Sequence, residues 1–173
     1  MMRRLSWTLM LSLATSACSL LPERPPQPAQ HDFGAAGAAA PAPWSSVDVD
    51  APEWLRNDRL QYRLLYAKPT ELRSYTLDRW IAPPSELLEQ RLKAGRSANG
   101  YRLHIELQAF EQVFERPGSS HVMIRLRAET PADTETFQFD QPTASPDAAG
   151  AVQAFAQAVD RAVAQLRAWR PAN

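Results

Sequence analysis

The sequence predicts an α+β domain, a largely antiparallel sheet with two main helices packed on one face. Three observations carry that prediction. Segments 101–110 and 121–128 alternate apolar and polar residues with a period of two, as strands do when one face is buried and the other wet. Segments 84–95 and 152–169 instead repeat apolar residues at three- and four-residue steps, as amphipathic helices do. The order strand, hairpin, helix, three-stranded meander, helix segregates the helices from the strands they cover.

Residues 1–17 are not fold material. Arg3 and Arg4 give a positive start, Leu5 to Ala14 a short apolar run, and Thr15, Ser16 and Ala17 a small-residue junction, the order of a bacterial export signal. Thirteen residues separate Arg4 from Cys18, too few for the ~20 that a membrane-spanning helix needs. Cys18 is the only cysteine, which excludes an internal disulfide framework and any multi-cysteine metal site. Two readings of it compete. Ordinary signal cleavage would leave a lone thiol that invites intermolecular pairing in an oxidising compartment. Alternatively, Thr15-Ser16-Ala17-Cys18 resembles the lipobox of bacterial lipoproteins, with Thr15 in place of the usual Leu. There the cysteine is diacylated on sulfur and becomes the new N-terminus. The coincidence of the sole cysteine with the cleavage junction favours lipid attachment at Cys18.

Residues 18–43 read as a disordered Pro/Ala-rich linker behind that anchor. Six of the 15 prolines lie in 19–43, with GAAGAAA at 34–40, a composition that buries little. Loss of residues 1–17 removes two arginines and no acids, leaving a net charge of −2. Electrostatics therefore give the mature chain no reason to lie on anionic lipid, and attachment to the membrane falls to the N-terminal acyl groups. Ser19 rather than Asp at the second position directs such a protein to the outer membrane, on its periplasmic face, under the common enterobacterial sorting rule.

The folded domain is expected over 44–173. Val47 and Val49 alternate with Ser46, Asp48 and Asp50 in a short strand. Leu60 to Ala67 and Leu72 to Leu77 form an antiparallel hairpin around a turn at Lys68-Pro69-Thr70-Glu71. Pro84 suits the first position of a helix whose stripe is Leu87, Leu88 and Leu92, and Gly95 suits its C-terminal cap. Leu103, Ile105 and Leu107 of the next strand face inward, as do Val122, Ile124 and Leu126 beyond the turn at Pro117-Gly118-Ser119-Ser120. Phe137 and Phe139 mark the third strand of the meander. Ser145-Pro146-Asp147 starts the last helix, Val152, Phe155, Ala156, Val159, Val163, Leu166 and Trp169 line it, and Pro171 stops it. Arg161, Arg167 and Arg170 lie towards its C-terminal end, where the helix dipole favours them.

Chemistry has few candidates. Lys plus Arg and Asp plus Glu both number 19, so nothing drives nucleic-acid binding. His31 falls in the linker as a solvated side chain, and His104 and His121 read as surface histidines. No H-E-x-x-H, G-x-S-x-G or phosphate-cradling glycine loop occurs. The carboxylates show no close pair in an apolar setting that would split their pKa values. No catalytic residue, metal site or cofactor is predicted.

Segment 72–88, LRSYTLDRWIAPPSELL, together with 51–64, APEWLRNDRLQYRL, resembles the ABC-type transport auxiliary lipoprotein family (PqiC/YmbA-like). Pro52, Trp54-Leu55, Tyr62-Arg63, Tyr75 and Arg79-Trp80-x-Ala82-Pro83 follow the family's order. Asp78 stands where a histidine is frequent, so no role of that imidazole carries over. The resemblance spans about residues 46–169 and implies a non-catalytic lipoprotein subunit of a system moving lipid or other apolar substrates across the envelope. Its partners would be an MCE-domain protein and an ABC permease–ATPase pair, and further copies of the chain in a ring-like homo-oligomer. Tyr62, Arg63, Tyr75, Arg79 and Trp80 are the interface candidates, although a tryptophan before a proline-capped helix is also simply a core plug. The alternatives are a scaffold lipoprotein of envelope assembly without a transport role, and a periplasmic hydrolase, which the missing motifs disfavour.

Overall fold

The computed structural model describes residues 26–35, 37 and 41–169. The export signal, Cys18, Arg170 and Pro171 lie outside them. Seven strands and two helices follow in the order β1 (Ala29–His31), β2 (Trp44–Asp50), β3 (Arg59–Leu64), β4 (Lys68–Trp80), α1 (Pro84–Lys93), β5 (Tyr101–Arg116), β6 (Ser119–Glu129), β7 (Thr134–Pro142) and α2 (Ala148–Ala168).

The spine is β5. Along one edge it pairs antiparallel with β6 over nearly its whole length, and β6 pairs in turn with β7. Along the other edge two strands lie end to end: β2 runs parallel to the first half, Val47 beside Leu103, and β3 runs parallel to the second, Tyr62 beside Gln112. A short 3-10 turn at Glu53–Leu55 separates them. β4 pairs antiparallel with β3, and β1 adds a parallel rung outside β4. The sheet is mixed, with the two long ladders and the hairpin antiparallel and the three short ladders parallel; the α+β class holds.

The phase of β5 changes midway. Leu103, Ile105 and Leu107 are buried, the register shifts between Leu107 and Ala109, and then Phe110 and Gln112 are buried. An extra residue in one strand does this, because side chains alternate with a period of two. The shift aims Phe110 at α2, where its ring stacks on Phe155 with centroids 4.1 Å apart. Trp80 meets both rings edge-on at 5.7 and 5.5 Å. The stripe of α2 therefore faces the inward strand residues, as its periodicity predicts.

Local chemistry explains both helix starts. Pro84 sits in the first turn of α1, where its missing N–H has no partner to lose. Gly95, at φ +82°, follows the end of that helix in a conformation that favours glycine. The indole N–H of Trp44 donates to the Leu92 carbonyl at 3.0 Å and holds α1 over β2. At α2, Asp147 accepts from the Gly150 amide at 2.8 Å and from the Ser145 hydroxyl at 2.7 Å. Gly150 has no alternative, since a Cβ there would lie 2.1 Å from the Ser145 carbonyl oxygen.

Three expectations need correction. The hairpin turns at Leu65-Tyr66-Ala67, not at 68–71, because Leu64 pairs with Lys68 and the Ala67 amide closes on the Leu64 carbonyl. Pro69 is tolerated inside β4 because that stretch is a sheet edge, where no neighbour needs its N–H. The linker 18–43 is not wholly unstructured: it carries β1 and Phe33, whose buried ring packs edge-on against Trp80 at 5.4 Å. His31 is accordingly not a free solvated side chain, since its Nε2 lies 2.9 Å from Asp78 Oδ1. Composition concealed this, because three strand residues and one phenylalanine suffice when a formed sheet edge and an aromatic pocket receive them.

Candidate docking surface

The five interface candidates all arise from β3 and β4, but the strands do not present them together. Tyr62 and Tyr75 face each other across the hairpin with ring centroids 4.8 Å apart, and Tyr62 also meets Phe114 at 6.0 Å. The Tyr75 hydroxyl donates to Gln112 Oε1 at 2.8 Å, and the fully buried Gln112 donates onward to Ser120 Oγ at 2.8 Å. Burial pushes the Tyr75 phenol up, well above its ordinary range, so it stays a neutral donor.

Arg63, next along β3, turns to the opposite face. Its Nε and Nη2 form a fork onto the buried Glu111 carboxylate at 3.0 and 2.9 Å, and Nη1 donates to the Pro69 carbonyl. This bidentate pair clamps β3 and the start of β4 to β5. Trp80 is 1 % exposed and leaves the candidate set as a core residue. Arg79 is the member that stays at the surface, reaching Asp58 at 3.3 Å with both side chains more than 40 % exposed.

The large apolar side chains left in solvent are not among the sequence's interface candidates, although Trp54 is part of the family-like order. They are Trp54, Leu65, Tyr66, Leu77 and Ile81. Trp54 and Ile81 stand near the Arg79 end of the hairpin, with Trp54 three residues before Asn57, which bonds its carbonyl. Leu65 and Tyr66 form the opposite end, the hairpin tip. Leu65, Tyr66 and Leu77 fall in segments that read as strands, whose alternation does not say which positions stay uncovered, and Trp54 and Ile81 stand outside any periodic run.

Two other places gather polar and titratable side chains. On the sheet face away from the helices, Arg63, Leu65, Glu111, Val113, Met123 and Asp140 are among the residues lining an open hollow of about 780 Å³. At the β2–β5 ladder, Asp48, Asp50 and His104 place their ligand-capable atoms within 4.8 Å of one another, all exposed. Within that group His104 Nδ1 lies 3.3 Å from Asp48 Oδ2, an ordinary surface pairing set by strand register. Elsewhere His121 lies between Glu115 and Asp140 at 3.8 and 3.6 Å.

No family model matches the chain, and no curated protein matches it in sequence. Solved structures do share its fold. Protein XCC0632 from Xanthomonas campestris, a DUF330 protein, superposes with a TM-score of 0.65 at 21% identity, covering 83% of this chain and 91% of its own. An uncharacterised protein superposes with a TM-score of 0.62 at 11% identity, covering 82% of this chain and 97% of its own. The class defined is thus an α+β domain of the DUF330-type fold.

Proposed function

We propose that this chain is a membrane-anchored, non-catalytic lipoprotein subunit of an ABC/MCE-type transport system for lipid or other apolar substrates. It is held at the periplasmic face of the outer membrane by acyl groups on Cys18. The observation that carries this reading is segment 72–88. Its residues, which with those of 51–64 resemble the ABC-type transport auxiliary lipoproteins, form one continuous unit, β4 running into α1, in a fold shared with a DUF330 protein. DUF330 is the PqiC/YmbA-like family.

Within this reading the chain works by docking. Arg79, with the exposed Trp54 and Ile81 at the same end of the hairpin, supplies the aromatic, aliphatic and guanidinium groups that dominate interface energetics. Nucleotide hydrolysis falls to the partner ATPase. Affinity purification of the full acylated chain from envelope membranes in mild detergent, read by mass spectrometry, tests it. Co-purification of an MCE-domain protein with an ABC permease and ATPase is expected. Recovery of envelope-assembly factors alone would replace this reading with the scaffold alternative.

A further inference from the structure

The geometry points to the β3–β4 hairpin tip, Leu65-Tyr66, as a bilayer contact that orients the domain on the membrane that holds its anchor. This rests on the acylation of Cys18 proposed above.

The direction of β1 is the first argument. It runs parallel to β4, Ala29 beside Asp78 and His31 beside Trp80, so its N-terminal end faces the hairpin tip and its C-terminal end faces Ile81. From its place beside Asp78, the backbone at Ala29 is thus directed towards the tip when followed back towards the N-terminus. Its length is the second argument. Ala29 stands eleven residues after Cys18, which bounds their separation at about 40 Å. The paired stretch of β3, Arg59–Leu64, spans only about 17 Å. An acylated Cys18 and the tip can therefore reach one bilayer plane while β1 stays docked.

The chemistry of the tip is the third. Leu65 and Tyr66 are 42% and 48% exposed and adjacent. Two amides beside them are already satisfied, that of Leu65 by the Phe114 carbonyl and that of Ala67 by the Leu64 carbonyl, so shallow burial strands neither of these donors. A tyrosine ring suits the headgroup boundary, and the Lys68 ammonium beside it can stay at headgroup level. Two side chains alone bind membranes weakly. A short covalent tether makes the contact intramolecular, where weak affinity suffices. With a mature net charge of −2, net electrostatic attraction to anionic lipid supplies none of the contact, which falls to the tether and the two side chains.

The test uses the full acylated chain, in which an introduced cysteine is the single free thiol. Leu65→Cys, Tyr66→Cys and Ile81→Cys are each labelled with an environment-sensitive fluorophore. Each is then reconstituted in phosphatidylethanolamine–phosphatidylglycerol vesicles carrying acyl-chain spin-labelled lipid. Vesicle flotation is expected for all three, with blue-shifted, quenched emission at positions 65 and 66 and neither effect at 81. Flotation with an unquenched tip, or with quenching at 81 instead, overturns the tip contact alone. Failure to float overturns the anchor reading and the tip contact with it.

Discussion

Trp80 shows how a single side chain divides structure from function in this domain. It stands in the most family-like stretch of the sequence, yet its ring fills the junction of Phe33, Phe110 and Phe155. Its indole N–H has no acceptor among the described residues, so packing rather than hydrogen bonding sets its worth. Trp80→Ala and Phe155→Ala should each destabilise the fold by about 3–5 kcal/mol in denaturant unfolding, as large buried aromatics do. Trp80→Phe should cost clearly less than Trp80→Ala, because no hydrogen bond is lost and part of the volume is kept. A loss below about 1 kcal/mol for Phe155→Ala would place that helix face at the surface. Asp147 carries a different prediction. The Gly150 amide and the Ser145 hydroxyl hold its carboxyl below the ordinary carboxylate value of 3.8. A depressed folded-state pKa contributes stability above the unfolded value and loses it as pH falls through the folded one. Asp147→Asn can still accept from Gly150, so the variant should lose less stability than the parent between pH 5 and strong acid. Equal acid sensitivity in parallel denaturant titrations would remove Asp147 as a contributor.

At the scale of elements, β1 has the most to reveal. Its three residues are held by the Ile81 amide donating to the His31 carbonyl, by the His31–Asp78 contact, and by Arg91 donating to the carbonyls of Phe33 and Gly34. Phe33→Ala should release this strand and speed hydrogen exchange of the Ile81 amide while β5 and β6 amides keep their protection. Unchanged protection of Ile81 would show that the backbone rung holds without the plug. The longer elements were legible in sequence because their periodicity is sustained: β7, α1 and α2 begin and face as their apolar residues predict. β6 faces as predicted but begins at Ser119, inside the expected four-residue turn, because Ser119 and Ser120 already pair with Arg116 and Phe114. β5 was legible only to its phase shift, since a bulge breaks the alternation that identifies a strand. The parallel ladders were invisible, because no local pattern states which strand a neighbour pairs with. The same reason hid β1. Strand geometry explains the dispersal of the interface candidates: successive residues of one strand must face opposite ways, so Tyr62 and Arg63 part company.

The β3–β4 hairpin has two unlike ends, the exposed Leu65-Tyr66 tip at one and Arg79, Trp54 and Ile81 at the other, where β1 pairs with its N-terminus directed towards the tip. In the proposed function the first end meets the bilayer and the second a protein partner. Cys18→Ala should abolish incorporation of labelled palmitate and leave an uncleaved or soluble chain, whereas the parent should follow the outer-membrane fraction in a density gradient. Unchanged labelling in the variant would contradict the anchor, and a wholly inner-membrane location would contradict the sorting expected from Ser19.

The proposed docking is tested most directly by binding of the purified, acylated full chain to the MCE-domain protein proposed as its partner, measured for the parent and for Arg79→Glu. Arg79 is exposed and its loss should change stability by less than about 0.5 kcal/mol, so the folds of the two can be matched first by circular dichroism. The account predicts saturable binding by the parent and a loss of about tenfold or more on charge reversal, the effect of removing an interface hot spot. The absence of saturable binding by the parent, or equal affinity in the two proteins, would contradict it.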